Sequence, residues 1–240
     1  MKKLIFILCA VNALVLSSCD FVAGKRVKGN GNVQTVDRPE TGFEGIVGGS
    51  NFDTYVGIGP YSVKIEAEEN IIPYIETFVD NGVLRIETKD GFWLKPRRAV
   101  KITVTAPRLT RIHSSGNGNI ISTTKLTDSS RIDLRVTGNA EMKVEVDAPE
   151  IEAELTGNGG IEVKGLARNF NCKTTGNGHI EAMDLQTEST KVEIFGNGNA
   201  NVNASVKLDV RIGGNGDVRY KGSAQTSTHI TGNGSLKKVD

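Results

Sequence analysis

Cysteine is scarce in this chain, and each of its three cysteines is isolated: Cys9, Cys19 and Cys172 in 240 residues. Cys9 falls within an apolar leader and Cys19 at the end of it. Cys172 therefore has no partner in a mature chain, and no intrachain disulfide can hold the fold. An excess of either charge is missing too. Lysine and arginine number 29 against 28 aspartates and glutamates, so there is no basic excess to attract nucleic acid. Aromatic residues make up 5% of the chain, with Trp93 the sole tryptophan. The apolar stretch from Leu4 to Leu16 is too short to cross a bilayer as a helix. Neither a phosphate-cradling Gly-rich loop, a His-Glu-x-x-His pair nor a serine elbow occurs. Those absences argue against nucleotide, zinc-hydrolase and serine-hydrolase chemistry.

Glycine, by contrast, is plentiful at 28 residues, and its placement is periodic. A Gly-Asn pair begins at Gly116, Gly138, Gly157, Gly176, Gly196, Gly214 and Gly232, at intervals of 22, 19, 19, 20, 18 and 18 residues. Such self-similarity means one structural unit stacked on itself, each unit sharing a core that none could bury alone. Two places before each Gly stand Ser114, Val136, Leu155, Thr174, Ile194, Ile212 and Ile230. Four places after it stand Ile120, Met142, Ile161, Ile180, Ala200, Val218 and Leu236. Period-two alternation, as in Ile132, Leu134 and Val136 between Arg131, Asp133 and Arg135, makes each flank a half-buried strand. Cys172 shares the inward register of Leu134, Ala153, Val192 and Val210, which suits a small core residue better than a nucleophile. Leu126, Leu166, Leu185 and Val206 read as further apolar anchors before the next unit opens. The expected fold is all-β, a parallel β-solenoid cornered at Gly-Asn. The alternative is an antiparallel meander or sandwich with hairpins at the same pairs.

In a solenoid, Asn117, Asn139, Asn158, Asn177, Asn197, Asn215 and Asn233 would lie over one another about 4.8 Å apart, where amides can hydrogen-bond from coil to coil. A turn ladder of this kind is structural. The sharper reading is a linear array of exposed amides that binds a repetitive polymer such as a glycan. A calcium-binding nonapeptide repeat fits poorly, because only Asp217 places an acid beside a Gly-Asn-Gly. Of the three histidines, His113 and His229 share an outward face, but five coils separate them, roughly 24 Å at 4.8 Å per coil. His179 follows a Gly-Asn-Gly. Glu145, Glu162 and Glu181 align as any solvated face would. These positions make no metal centre and imply no cofactor, and catalysis is not expected.

The chain opens with Met1-Lys2-Lys3 and reaches Leu16-Ser17-Ser18-Cys19 through its apolar stretch. It resembles a bacterial lipoprotein signal with its lipobox. The resemblance implies cleavage before Cys19, lipidation of Cys19, and a stable membrane anchor in the cell envelope. Removal of residues 1–18 leaves 27 basic and 28 acidic side chains, a net charge of −1. Residues 19–37 read as the lipidated Cys and a tether, with Gly29-Asn30-Gly31-Asn32 as a loose echo of the repeat.

Residues 38–109 read as a less repetitive β part or cap, and 110–240 as the repetitive part. Strands are expected at Ile46–Val47, Phe52–Val56, Tyr61–Ala67, Val83–Thr88 and Ala99–Thr105, with a hairpin at Asn81-Gly82. Asn70–Val79, interrupted by Pro73, is expected to be an irregular strand. The loop Asp90–Arg98 sets Phe92 and Trp93 beside Lys95, Arg97 and Arg98. These five are candidate binding residues, able to stack on a sugar ring or receive an anionic polymer. Otherwise their rings cover the end of the core while the cations stay solvated.

Phe43-Glu44-Gly45-Ile46, Tyr61-Ser62-Val63, Asn70-Ile71-Ile72-Pro73-Tyr74 and Thr105-Ala106-Pro107-Arg108-Leu109, followed by recurring Gly-Asn-Gly, resemble the head GIN domain assigned to autotransporter adhesins. Such domains are common in lipoproteins of Bacteroidetes-type bacteria. The resemblance runs from about Arg38 to Val239 and implies a right-handed solenoid and an envelope location. It supplies no catalytic residues. Where the family commonly shows Gly-Ser-Gly-Asp, this chain has Asn in the second place. The expected protein is a non-catalytic lipoprotein anchored in the outer membrane, on its periplasmic or surface face, that binds a glycan, a surface polymer or an envelope protein. A structural or regulatory envelope component without a polymer ligand is the alternative.

Overall fold

The computed structural model describes residues 24–239, so the leader, Cys19 and Asp240 lie outside the described residues. Its N-terminal part holds β1 (Lys25–Lys28), β2 (Val33–Arg38), β3 (Gly45–Ser50), β4 (Asp53–Ile58), β5 (Ser62–Glu68), β6 (Ile75–Asp80), β7 (Val83–Thr88), β8 (Phe92–Lys95) and β9 (Lys101–Ala106). The repeat opens with β10 (Arg111–Gly116), β11 (Ile120–Ser122), β12 (Leu126–Thr127), β13 (Arg131–Gly138), β14 (Glu141–Gly157) and β15 (Gly160–Gly176). It continues as β16 (His179–Ala182), β17 (Leu185–Gly196), β18 (Asn199–Asn203), β19 (Lys207–Gly214), β20 (Asp217–Lys221), β21 (Gln225–Gly232) and β22 (Ser235–Lys238).

Strands that lead into the corner stack in parallel as one wall, from β7 through β3, β10 and β13 to β21, with Gly116 over Gly138 and Gly138 over Gly157. Strands that follow the corner form a second parallel wall, from β9 through β4 and β11 to β22. The 17-residue β14 and β15 pass through a further corner and serve both walls. Parallel pairing excludes the meander, because hairpins at Gly-Asn would make each flank antiparallel to its neighbour. The molecule is a stacked-coil β-solenoid of about seven turns.

The inward columns build its core. Ile132, Ile151 and Phe170 stack, as do Leu134, Ala153, Cys172, Val192 and Val210, and Met142, Ile161, Ile180 and Ala200, all of them buried. Each such column removes apolar surface from water on every coil, at about 25 cal/mol per Å². Cys172 is therefore core, and burial raises its thiol pKa far above the ordinary value.

At the corners, the glycines beginning each pair adopt φ between +115° and +138°, which side chains rarely tolerate. A Cβ on Gly157 would also collide with the carbonyl oxygen of Gly138 in the coil beneath. That oxygen accepts the Asn158 N–H at 3.0 Å, so coils can approach this closely only through glycine.

The two ends close differently. At the N-terminal end the parallel stacking gives way to antiparallel strands: β6 on β7, β5 on β9, and β2 on β5. The β6–β7 hairpin turns at Asn81 and Gly82, both with positive φ. At the other end Thr226 and Thr228 of β21 lie over Leu208 and Val210 of β19, so the last coil offers water a more polar lid.

Four local expectations need correction. The segment read as a tether contains β1 and β2, and Gly29–Asn32 is no coil: Asn30 and Asn32 donate to the Glu69 carboxylate. Asn70–Val79 is a 3₁₀ turn at Ile72–Tyr74 followed by β6, since Pro73 fits the first turn of a helical segment. The Trp93 segment is a strand rather than a loop. Leu166 and Val206 are exposed, because Gly165 takes the inward place over Val146 and under Leu185, while Ala204 is the buried residue near Val206.

Candidate functional site

A single ridge runs the length of the corner. Each asparagine amide donates from Nδ2 to the Oδ1 beneath it: Asn139 to Asn117 at 2.8 Å, Asn158 to Asn139 at 3.1 Å, Asn177 to Asn158 at 3.0 Å, and Asn197 to Asn177 at 2.9 Å. Asn215 to Asn197 at 2.9 Å and Asn233 to Asn215 at 3.2 Å complete the upper part. The ladder also starts one coil earlier than the repeat suggested, since Asn117 donates to Asn51 at 2.8 Å. Ser50, at φ +68°, stands where later coils have Gly. The signal was available in Ser50-Asn51-Phe52-Asp53, but a serine concealed it. Seven steps of about 4.8 Å give the exposed ridge a length of roughly 34 Å.

A second, interrupted ladder follows the corner. Asn119 Oδ1 accepts from the Glu141 N–H at 3.0 Å, Asn199 Oδ1 from the Asp217 N–H at 3.0 Å, and Asp217 Oδ1 from the Ser235 N–H at 3.0 Å.

The charged side chains of the walls engage one another. Arg135 reaches Glu154 at 2.7 Å, Lys143 reaches Glu162 at 3.1 Å and Lys191 reaches Glu193 at 2.8 Å. Such exposed pairs stabilise little, but each neutralises the charges that take part in it. Glu162 and Glu181 stack in one column, with Asn201 donating to Glu181 at 2.6 Å. Glu145 belongs to another column, opposite Lys164. His113 lies 3.3 Å from Asp133; its hydrogen bond and charge hold the Asp133 carboxyl below its ordinary pKa. His229 is six register steps away, roughly 29 Å at 4.8 Å per coil, one step more than expected. Among the described residues no group of three or more His, Cys, Asp or Glu could hold a metal ion.

The cap end is different. Strand β8 pairs in parallel with β1, so that Arg26 lies opposite Trp93 and Lys28 opposite Lys95. Phe92 turns inward against Tyr74, their ring centroids 4.4 Å apart, whereas Trp93 is 68% exposed. A buried carboxylate fixes this flap. Glu68 accepts N–H bonds from Gly31 at 2.6 Å and Arg97 at 2.7 Å, with Arg98 at 3.4 Å. Burial opposes its charge, yet the bonds from Arg97, Gly31 and Arg98 outweigh it and lower the pKa.

Between flap and corner lies a groove of about 300 Å³, walled by Phe52, Phe92, Trp93, Leu94 and Pro96 and edged by Asn51 and Asn117. The aromatic segment and the ridge, two unconnected features of the sequence, therefore meet. Lys95, Arg97 and Arg98 stay outside this groove's lining.

The fold and this surface define a solenoid with an amide ridge and an aromatic-cationic cap. Residues 42–224 match the family described as "Putative auto-transporter adhesin, head GIN domain", and the chain belongs to that family. Among solved structures it is similar to a "putative adhesin" from Bacteroides fragilis NCTC 9343, with TM-score 0.84 and 23% identity over 89% of this chain and 100% of that one. A "Putative lipid binding protein" from Parabacteroides distasonis ATCC 8503 matches with TM-score 0.75 and 25% identity over 90% of this chain and 100% of the other. A "putative adhesin" from Parabacteroides merdae ATCC 43184 matches with TM-score 0.72 and 23% identity over the same shares. No curated protein matches the sequence significantly.

Proposed function

We propose that this chain is a non-catalytic, adhesin-like lipoprotein of the cell envelope, anchored to the outer membrane through Cys19, that holds an extended glycan or surface polymer on its ridge. The groove at the head of the ridge takes one unit of that polymer. One observation carries the reading: amide edges of Asn51 and Asn117 face an apolar wall of Phe52, Phe92, Trp93, Leu94 and Pro96. Sugar rings present that same combination, hydroxyls at the edge and C–H groups on the face, and sites for small ligands pair an apolar lining with a few placed polar groups. The ridge supports it further, because each amide bonded to its neighbours still has one N–H and one lone pair for solvent or ligand. Membership in an adhesin-type family supports a place at the cell envelope or surface, and one neighbour with a lipid-binding name supports binding rather than catalysis. Walls whose carboxylates and histidines engage one another also suit a binder.

The test is an array of glycans and cell-wall polymers probed with the purified chain, alongside Asn117→Ala and Asn233→Ala. Saturable binding to one polymer class, weakened about tenfold by Asn117→Ala and hardly by Asn233→Ala at the far end of the ridge, is the expected outcome. A blank array would sink the polymer reading in favour of a protein-facing structural role.

A further inference from the structure

Six cations gather on β1, β8 and the turn after it: Lys25, Arg26, Lys28, Lys95, Arg97 and Arg98, all exposed. Among the described residues none of them has an ion-pair partner, whereas Lys64, Lys101, Arg108, Arg131, Arg135 and Lys143 each do. Two carboxylates at the end of β5, Glu68 and the adjacent Glu69, are already occupied. Glu68 is buried under the backbone N–H groups of Gly31, Arg97 and Arg98, and Glu69 accepts from the amides of Asn30, Asn32 and Gln34. Asp90, in the turn before β8, is the exposed acid left beside them. The parallel register sets Arg26, Lys28, Trp93 and Lys95 on one exposed face, while Phe92 and Leu94 are partly buried toward the groove, which Trp93 also borders. An exposed indole flanked by cations has the composition of an interfacial anchor: the ring settles at headgroup level and the cations meet phosphates.

Chain connectivity adds a second constraint. Only Asp20 to Gly24 separate Cys19 from Lys25, so their Cα atoms lie at most about 21 Å apart even with the chain fully extended. If Cys19 carries the acyl chains, as the proposed function holds, Lys25 stays within about 21 Å of the anchor, so the flap is the part of the solenoid tethered nearest the membrane.

We infer that the outward face of β1 and β8 lies on anionic phospholipid headgroups, with Trp93 at the interface, and holds the solenoid in a fixed orientation on the membrane. A single acyl attachment point alone would let the rod swivel. The flap supplies a second contact. Each Lys or Arg near such a surface strengthens attachment about fivefold, and Glu68 keeps the two strands and the Arg97–Arg98 turn assembled as one face. Trp93 makes the idea easy to read, because it is the only tryptophan in the chain.

The experiment uses the full chain reconstituted into vesicles of phosphatidylcholine with and without phosphatidylglycerol. In anionic vesicles Trp93 emission should shift to the blue, be quenched by brominated acyl chains and lose at least about fivefold in iodide accessibility. The double variant Lys28→Glu, Lys95→Glu, checked for its far-UV spectrum, should return Trp93 to water, and the matching reversal Lys207→Glu, Lys237→Glu on exposed positions of β19 and β22 should not. Trp93 emission that stays water-like in anionic vesicles overturns the inference, as does a shift that ignores both lipid charge and the charge reversals. Mass spectrometry of Cys19 in the same preparation tests the anchor separately. An unmodified Cys19 with Trp93 still shifted sinks the anchor and upholds headgroup contact, whereas an acylated Cys19 with Trp93 in water does the reverse.

Discussion

Gly157 and Asn158 are neighbours in one corner, but the fold depends on them to different degrees. Gly157 holds φ +125°, and a Cβ there would strike the Gly138 carbonyl. Gly157→Ala combines a disfavoured backbone with a backbone clash, and should cost about 3 kcal/mol or more. Asn158→Ala removes two exposed ladder bonds, to Asn139 and from Asn177, and should cost about 1–2 kcal/mol. Urea unfolding of both variants checks the ranking; equal costs would mean that the amides, and not the close backbone approach, require Gly-Asn. Thr174 makes the opposite case. Its side chain sits in the core between Leu155 and Ile194, and its Oγ1 has no hydrogen-bond partner. Thr174→Val keeps the shape and removes the buried hydroxyl, so unfolding should become harder by about 1 kcal/mol. A loss of stability instead would show that the hydroxyl is engaged.

Among the elements, the flap depends on one carboxylate. The folded pKa of Glu68 lies below its ordinary value of 4.5, so its ionised form stabilises the clamp fully at neutral pH. That contribution fades as pH falls below the ordinary value and through the folded one. Acidification below about pH 4.5 should therefore change Trp93 fluorescence before the far-UV β signal is lost. Glu68→Gln, which puts an NH₂ among donors that need an acceptor, should loosen the flap at pH 7 and abolish the acid step. A variant with unchanged Trp93 emission and an intact acid step would show that something else holds β8. The sequence exposed this element only in part. Phe92, Trp93 and the cations stand out by composition, but their strand depends on pairing with Lys25–Lys28, far away in sequence and without periodicity of its own. The corner is the contrary case: Gly-Asn and the apolar place four residues later repeat locally, so both walls can be read from the chain. The period is lost where a coil deviates, as at Gly165, which took the inward place assigned to Leu166, and at Ser50, which hid the first rung.

For the whole molecule, a stack in which each coil touches only its neighbours should tolerate loss of a complete coil. Gly157 and Gly176 are aligned in register, and Leu155 lies on Thr174, which lies on Ile194. Deleting residues 158–176 joins Gly157 to Asn177 and removes one coil with its inward columns intact: Leu155 meets Ile194 directly, and Asn177 takes the place of Asn158 over Asn139. The deleted chain should fold, keep its β spectrum and shorten by about 4.8 Å along its axis, as small-angle scattering can measure. Deleting residues 158–175 instead leaves one extra residue between the walls. Because side chains alternate with period two, that change drives the next strand's apolar set outward, and this chain should aggregate or unfold. If the one-coil deletion failed as badly as the misregistered one, stability would reside in particular coils and not in the stack. If both folded, the corner would be far more adaptable than its glycine geometry implies. Only a register-dependent outcome fits a rod whose length can vary while the cap at its N-terminal end stays the same.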